Sequence, residues 1–266
     1  MPEDLYPEEA DLALSALVSQ FDAFLEEAHR LKETYADRIT LLVGLETEYI
    51  TDPDLDALDA LLRRLGSRVE YIVGSIHHVN SIPIDFDRPT YEKALQSVES
   101  TVSTQNAFLC AYFDAQFALL QRFSPEIIGH FDLCRLYEPT LSVAEYPAVL
   151  EKLERNVIFA VGYGALFEVN AAAFRKGWDA ACPGRDVIEM ILRHKGRFAL
   201  SDDSHGAHAV GLNYHRLLAY LQSVGVKELW YLERSEDINA AGRKVQPRRL
   251  EGNWADHAFW RARSAA

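Results

Sequence analysis

The chain has 266 residues, 48% of them hydrophobic, which is enough for one sizeable core. Its formal net charge is −13. That field repels nucleic acid and anionic membrane and excludes both as expected partners, while local cations or metal ions can still offset it around a phosphorylated substrate.

The opening MPEDLYPEEA is acidic and has no apolar run, unlike a secretory signal. No stretch reaches the ~18 apolar residues that span a bilayer. Cys110, Cys134 and Cys182 are dispersed and form no CxxC pair, which argues against a disulfide framework and for a reducing compartment. The expectation is a cytoplasmic protein, with its oligomeric state open.

In chain order, residues 11–35 come first. Leu14, Leu17, Val18, Phe21, Phe24 and Leu25 recur there at helical spacing. A short apolar run at 39–44 (ITLLVG) then predicts a buried strand, and Pro53 opens a helix over 54–65. Further strand-like runs lie at 69–74 (VEYIVG), 126–129 (EIIG), 165–169 (ALFEV), 197–200 (RFAL) and 227–231 (KELWY). Helical patterns lie at 91–123, 143–160, 185–194 and 208–224, the last followed by Gly225 at a helix C-terminus. This alternation, without hairpin turns, predicts a parallel sheet with crossover helices. Six strands at this spacing suit an α/β barrel or a doubly wound sheet. The whole chain, 1–266, reads as a single domain. Residues 1–235 form its body, and a tail over 236–266 packs back through Trp254, Phe259 and Trp260.

Polar residues follow this rhythm. Glu46 and Glu48 follow the first strand, and His77 and His78 the second, in GSIHH. His130 and Asp132 follow the third, in GHFD, and Glu168 and Asn170 end the fourth, in FEVN. Asp202, Asp203 and His205 follow the fifth, in LSDDSH. Parallel α/β folds place their active sites at C-terminal strand ends. Any one of these residues alone has a plainer reading: Glu46 as a solvated acid, His77 as a loop histidine, His130 as a core histidine, Asp203 as a helix cap. The constellation is what points to a site. Imidazole with carboxylate suits Zn, Mn or Fe, and two or three such ions are a known solution to phosphate-ester hydrolysis. No GxSxG, P-loop or GxGxxG occurs, which removes the usual acyl-transfer, NTPase and dinucleotide readings. Arg135, Arg175 and Lys176 are weaker candidates for holding a substrate phosphate.

The stretches LLVGLETEYI, YIVGSIHHVNSIPIDFD, IIGHFDLCRLY, FEVNAAAFRKG and LSDDSHGAHAVG resemble the PHP (polymerase and histidinol phosphatase) superfamily, in its monofunctional histidinol-phosphatase branch. The resemblance implies a distorted (β/α)7 barrel of the TIM type with two to three divalent metal ions. It also implies hydrolysis of the small substrate L-histidinol phosphate to L-histidinol and phosphate, in histidine biosynthesis. It assigns Glu46, His77, His130, Asp203 and His205 to the metals and to catalysis. The family opens on a strand ending in HxH, and the chain contains no HxH. The expectation is therefore a sequence that opens after the family's first two strands, with about two strands of the barrel missing. Two other readings stand beside this one: another PHP-type phosphoesterase, or a shortened, inactive remnant that binds a metal or a partner.

Overall fold

A computed structural model of the protein describes residues 13–99 and 103–263. The acidic opening, the first two residues of the predicted N-terminal helix, the side chain of Leu14 and the last three residues of the tail lie outside them.

The first helix is α1 (Leu14–Thr34). Its stripe is only partly used, since Leu25 is buried while Val18 and Phe24 stay exposed. Strand β1 (Gly44–Glu48) follows, then α2 (Asp52–Leu65), with a proline in its first turn as expected. Next come β2 (Tyr71–Ser75) and a small hairpin of β3 (His78–Val79) and β4 (Ile82–Pro83). Helices α3 (Arg88–Gln96) and α4 (Thr104–Phe123) lead to β5 (Ile127–Ile128). Helix α5 (Pro147–Tyr163) leads to β6 (Leu166–Asn170). The short α6 (Ala172–Arg175) and α7 (Arg185–Arg193) precede β7 (Arg197–Ser201). Helix α8 (Tyr214–Ser223), β8 (Trp230–Arg234), β9 (Val245–Arg249) and α9 (Ala258–Arg263) close the described chain.

Among the described residues, β1, β2, β5, β6 and β7 form one parallel sheet in that order. Its order follows the chain without reversal, so it has no switch point of the doubly wound kind. Helix α2 packs on α4, α4 on α5 and α5 on α7, so the crossover helices share one layer. That is barrel-type winding, although the described sheet does not close on itself.

Several expectations are corrected. The first strand lies at Gly44–Glu48 rather than 39–44, because its ladder begins where Tyr71 of β2 can meet Gly44. Glu46 is therefore within the strand. The run at 227–231 does not add a sixth parallel strand: its end enters β8, which pairs antiparallel with β9. Hairpins are thus present. The predicted 91–123 helix is two helices, since Asp87 caps α3 by accepting from the Thr90 N–H and Ser103 caps α4 by accepting from the Asn106 N–H. The tail is held through Trp254 and Trp260, both buried, with Trp260 Nε1 donating to the Trp254 carbonyl.

A buried carboxylate helps tie the β8–β9 hairpin to the sheet, beside the pair that Arg234 makes with Glu70. Glu126 accepts from the Ile72 N–H at 2.9 Å, from Asn239 Nδ2 at 2.6 Å and from Arg243 Nε at 2.7 Å. Glu126→Ala leaves these donors unmatched, and breaking a buried ion pair costs about 3 kcal/mol. Urea unfolding at neutral pH should show a loss of that size. A loss under about 1 kcal/mol, the level of a surface pair, would mean the hairpin does not depend on Glu126.

Candidate metal centre

The parallel register brings the ends of β1, β2, β5, β6 and β7 to one edge. His77 lies two residues past β2, His130 two past β5 and Asp203 two past β7. A strand alternates its side chains, so Glu46 and Glu48 leave β1 on the same face, opposite Val73 and Ser75 of β2. The glycine before His130 is required by packing. A Cβ at Gly129 would fall on Ser75 Oγ, so a larger residue would push apart the strand ends that carry the two histidines.

Glu46, His77 and His130 converge. His77 Nε2 and His130 Nε2 are 3.0 Å apart, and Glu46 Oε1 lies 3.2 Å from His130 Nε2 and 3.6 Å from His77 Nε2. The two imidazoles meet edge to face, with ring centroids 4.7 Å apart. Glu48 approaches from the other side, its Oε2 3.4 Å from His77 Nδ1 and 2.7 Å from His78 Nδ1. His78 is itself buried. Adjacent histidines thus part ways: His77 turns to the cluster and His78 to Glu48.

Behind this cluster lies a buried polar layer. Glu168 accepts from the His130 N–H at 2.6 Å and from Asn170 Nδ2 at 3.1 Å. The same amide reaches Asp203 Oδ2 at 3.5 Å, and Asn170 Oδ1 accepts from the Ala172 N–H. Burial outweighs the pull of His130 and holds the Glu168 carboxyl above the usual range. Asp203 has a positive φ of 50°, and Arg175 fastens its turn by donating to the Asp202 and Asp203 carbonyls.

Of the five residues expected at the metals, the structure gathers Glu46, His77 and His130 into one cluster. Asp203 stands beside it, lining a small cavity with His130, Asn170 and Lys176. His205 is apart from it: its side chain is 82% exposed, and Nδ1 lies 3.0 Å from the Asp203 carbonyl. The expected substrate cations also separate. Arg135 is buried and bound to Asp132, Asp186 and the Leu141 carbonyl, so the structure gives it an internal ion-pair role instead. Arg175 is committed to its backbone clamp, and Lys176 is an exposed ammonium at the small cavity. Sequence reading placed Glu48, Glu168 and Asn170 in the strand-end constellation but assigned them no metal or catalytic role. Their signal is the one the other candidates share, a polar residue at the end of an apolar strand.

The donor set fits a divalent metal. Two imidazole nitrogens and one carboxylate oxygen offer atoms all within 4.8 Å of one another, a mixture that suits Zn, Mn or Fe. The arrangement is also one that protons can fill. Burial opposes a charge on His130, but the Glu46 hydrogen bond and the Glu46, Glu168 and Asp203 charges outweigh it and raise its pKa to about 9. Burial likewise opposes the Glu46 and Glu48 charges, yet their histidine partners bring both down to about 2.

Comparison with known proteins shows that the chain belongs to the PHP domain family. The PHP domain profile matches residues 9–172. A Schizosaccharomyces pombe protein named probable histidinol-phosphatase is 43% identical over 240 residues, covering 89% of this chain and 77% of that one. The histidinol-phosphatase of Saccharomyces cerevisiae is 30% identical over 290 residues, covering 96% and 85%. Among solved structures, histidinol phosphate phosphatase of Lactococcus lactis, complexed with zinc, L-histidinol and phosphate, is similar with a TM-score of 0.54. That match has 15% identity and covers 79% of this chain and 76% of that one. A Listeria monocytogenes protein described as a histidinol phosphatase matches with a TM-score of 0.63 at 20% identity, covering 74% and 75%. At such identities the two structures establish a shared fold.

The paired charges predict opposite pH trends for the metal-free and metal-loaded protein. The folded His130 pKa, about 9, is above its ordinary 6.5. Its contribution to stability is therefore complete below about pH 6.5 and lost as pH rises through about 9. A divalent ion competes with that proton, so its affinity should rise over the same interval. Melting of chelator-treated protein and zinc competition titrations, both from pH 6 to 9.5, read the two trends. Zinc affinity that is flat across this range would contradict a protonated His130.

Proposed function

Because the chain belongs to the PHP domain family, we propose that it is a metal-dependent phosphomonoesterase that hydrolyses L-histidinol phosphate to L-histidinol and inorganic phosphate. The observation that carries this reading is the convergence of Glu46, His77 and His130 at neighbouring strand ends, in a chain 43% identical to a relative named for this reaction. The reading places the protein in histidine biosynthesis, in the cytoplasm.

Two or three ions of Zn, Mn or Fe, held by Glu46, His77, His130, Asp203 and His205, would supply Lewis-acid neutralisation of the ester phosphate and acidify water at the site. The chain's own residues supply the rest. Glu46 neutralises cationic charge between the two imidazoles. Glu168 fixes the backbone of His130, and Asn170 spans from Glu168 toward Asp203. The Asp203 carbonyl accepting at His205 Nδ1 leaves the lone pair of that ring on Nε2, the form a metal ligand needs. Lys176, exposed at the cavity beside His130 and Asp203, steadies the phosphate by charge. Its role there is binding.

The test is phosphate release from L-histidinol phosphate by protein reconstituted with each metal in turn, beside a panel of other phosphomonoesters that includes nucleotide 3′-phosphates. Preferred turnover of histidinol phosphate is expected, and a chelator should abolish it. A tenfold preference for another ester, or no turnover with any metal, would refute the assignment. Removing a carboxylate behind a metal ligand costs 10–100-fold, so His77→Ala and His130→Ala should each lower kcat/KM by at least about 100-fold. Lys176→Ala should raise KM with kcat little changed, the signature of lost uniform binding.

A further inference from the structure

Glu46 and Glu48 leave one face of β1, and only Glu46 reaches the cluster of ligand atoms. The Glu48 carboxylate instead faces the Nδ1 atoms of two consecutive histidines, at 3.4 Å for His77 and 2.7 Å for His78. An ionised carboxylate only accepts hydrogen bonds, so the hydrogen-bonded His78 Nδ1 must carry a proton, and the same charge 3.4 Å from His77 Nδ1 favours a proton there as well. A neutral imidazole protonated at Nδ1 has its lone pair on Nε2.

The opposite side of His77 accommodates the same tautomer. His77 Nε2 and His130 Nε2 are 3.0 Å apart, and two ring nitrogens at that distance need one donor and one acceptor. With its proton on Nδ1, His77 offers the acceptor, and His130 can donate. With its proton on Nε2, His77 would turn an N–H toward the ring it must share an ion with. The buried His78 holds the same Glu48 oxygen and cannot leave without exposing a polar gap in the core.

We propose that Glu48 is a positioning residue of the metal centre: it fixes His77 as the Nδ1-protonated tautomer, so that the Nε2 lone pair faces Glu46 and His130, while His78 braces the carboxylate. The inference rests on the metal centre of the proposed function, and the role of Glu48 is readable without metal. Second carboxylates of this kind orient the ligand imidazole and raise its basicity, and their loss typically costs 10–100-fold in metal affinity.

The experiment uses the full chain. Long-range proton–nitrogen correlation of 15N-histidine-labelled, metal-free protein at pH 8 assigns the tautomer of each ring, and competition with a chromophoric chelator gives the affinity for Zn2+. In the wild type, His77 should carry its proton on Nδ1. Glu48→Met, which keeps the side-chain volume and removes the acceptor, should move the His77 proton toward Nε2 and weaken Zn2+ binding by about 10–100-fold. Glu48→Gln retains an acceptor oxygen and should bind within about fivefold of wild type. A wild-type His77 protonated on Nε2 would overturn the proposal, and this reading needs no variant to fold. Unaltered affinity in Glu48→Met would overturn it too, as would equal losses in the Met and Gln variants. Wild-type protein that holds no Zn2+ but shows the predicted tautomer would refute the metal centre and leave the placement of His77 by Glu48 standing.

Discussion

Five strands that run in one direction must all end on one side, and that constraint decides where chemistry can gather in this protein. The short strand β5 shows how much depends on it. Two residues, Ile127 and Ile128, pair with β2 on one side and β6 on the other. That pairing alone carries His130 to within reach of Glu46, a residue 84 positions earlier in the chain. Gly129 makes the approach possible, because the space a side chain would need is taken by Ser75.

Once the strand ends meet, electrostatics becomes the governing problem. Glu46, Glu48, Glu168 and Asp203 gather in a protein that already has a net charge of −13. Carboxylates can share such a place only if something positive sits between them. In the metal-free protein the His130 proton serves, which is why that buried histidine holds its charge so far up the pH scale. A divalent ion answers the same need with more charge and directional bonds. Acid gathered around buried imidazole is thus both a burden on the fold and the source of the site's affinity.

The opposite end of the molecule uses a similar device for a different purpose. Glu126 gathers a backbone N–H, an amide and a guanidinium to hold the C-terminal hairpin. On the site's own side of the sheet, Arg135 between Asp132 and Asp186 does the same for the loop after β5. In both places each buried charge has a protein partner of opposite sign. At the metal centre the matching is incomplete: His130 Nδ1 is buried without a hydrogen-bond partner.

Much of this was legible in the sequence. Continuous apolar runs separated by amphipathic stretches identify a parallel α/β fold, because strands buried on both faces cannot alternate. The recurrence of Glu, His and Asp just past those runs marks Glu46, His77, His130 and Asp203, since parallel strands share one end. Local pattern could not reveal pairing over distance. It put the first strand at 39–44, because apolar residues continue there, whereas the ladder starts only where β2 provides a partner. It read 227–231 as one more parallel strand, because a hairpin partner in a polar tail leaves no apolar signature. It offered Arg135 to the substrate, although two acids, one of them 51 residues further on, enclose it. It could not divide His77 from His78 or Glu46 from Glu48. Sequence by itself determined which residue types reach the strand ends. Tertiary structure alone decided which of them face one another, because distance and burial arise only when separate strands are brought side by side.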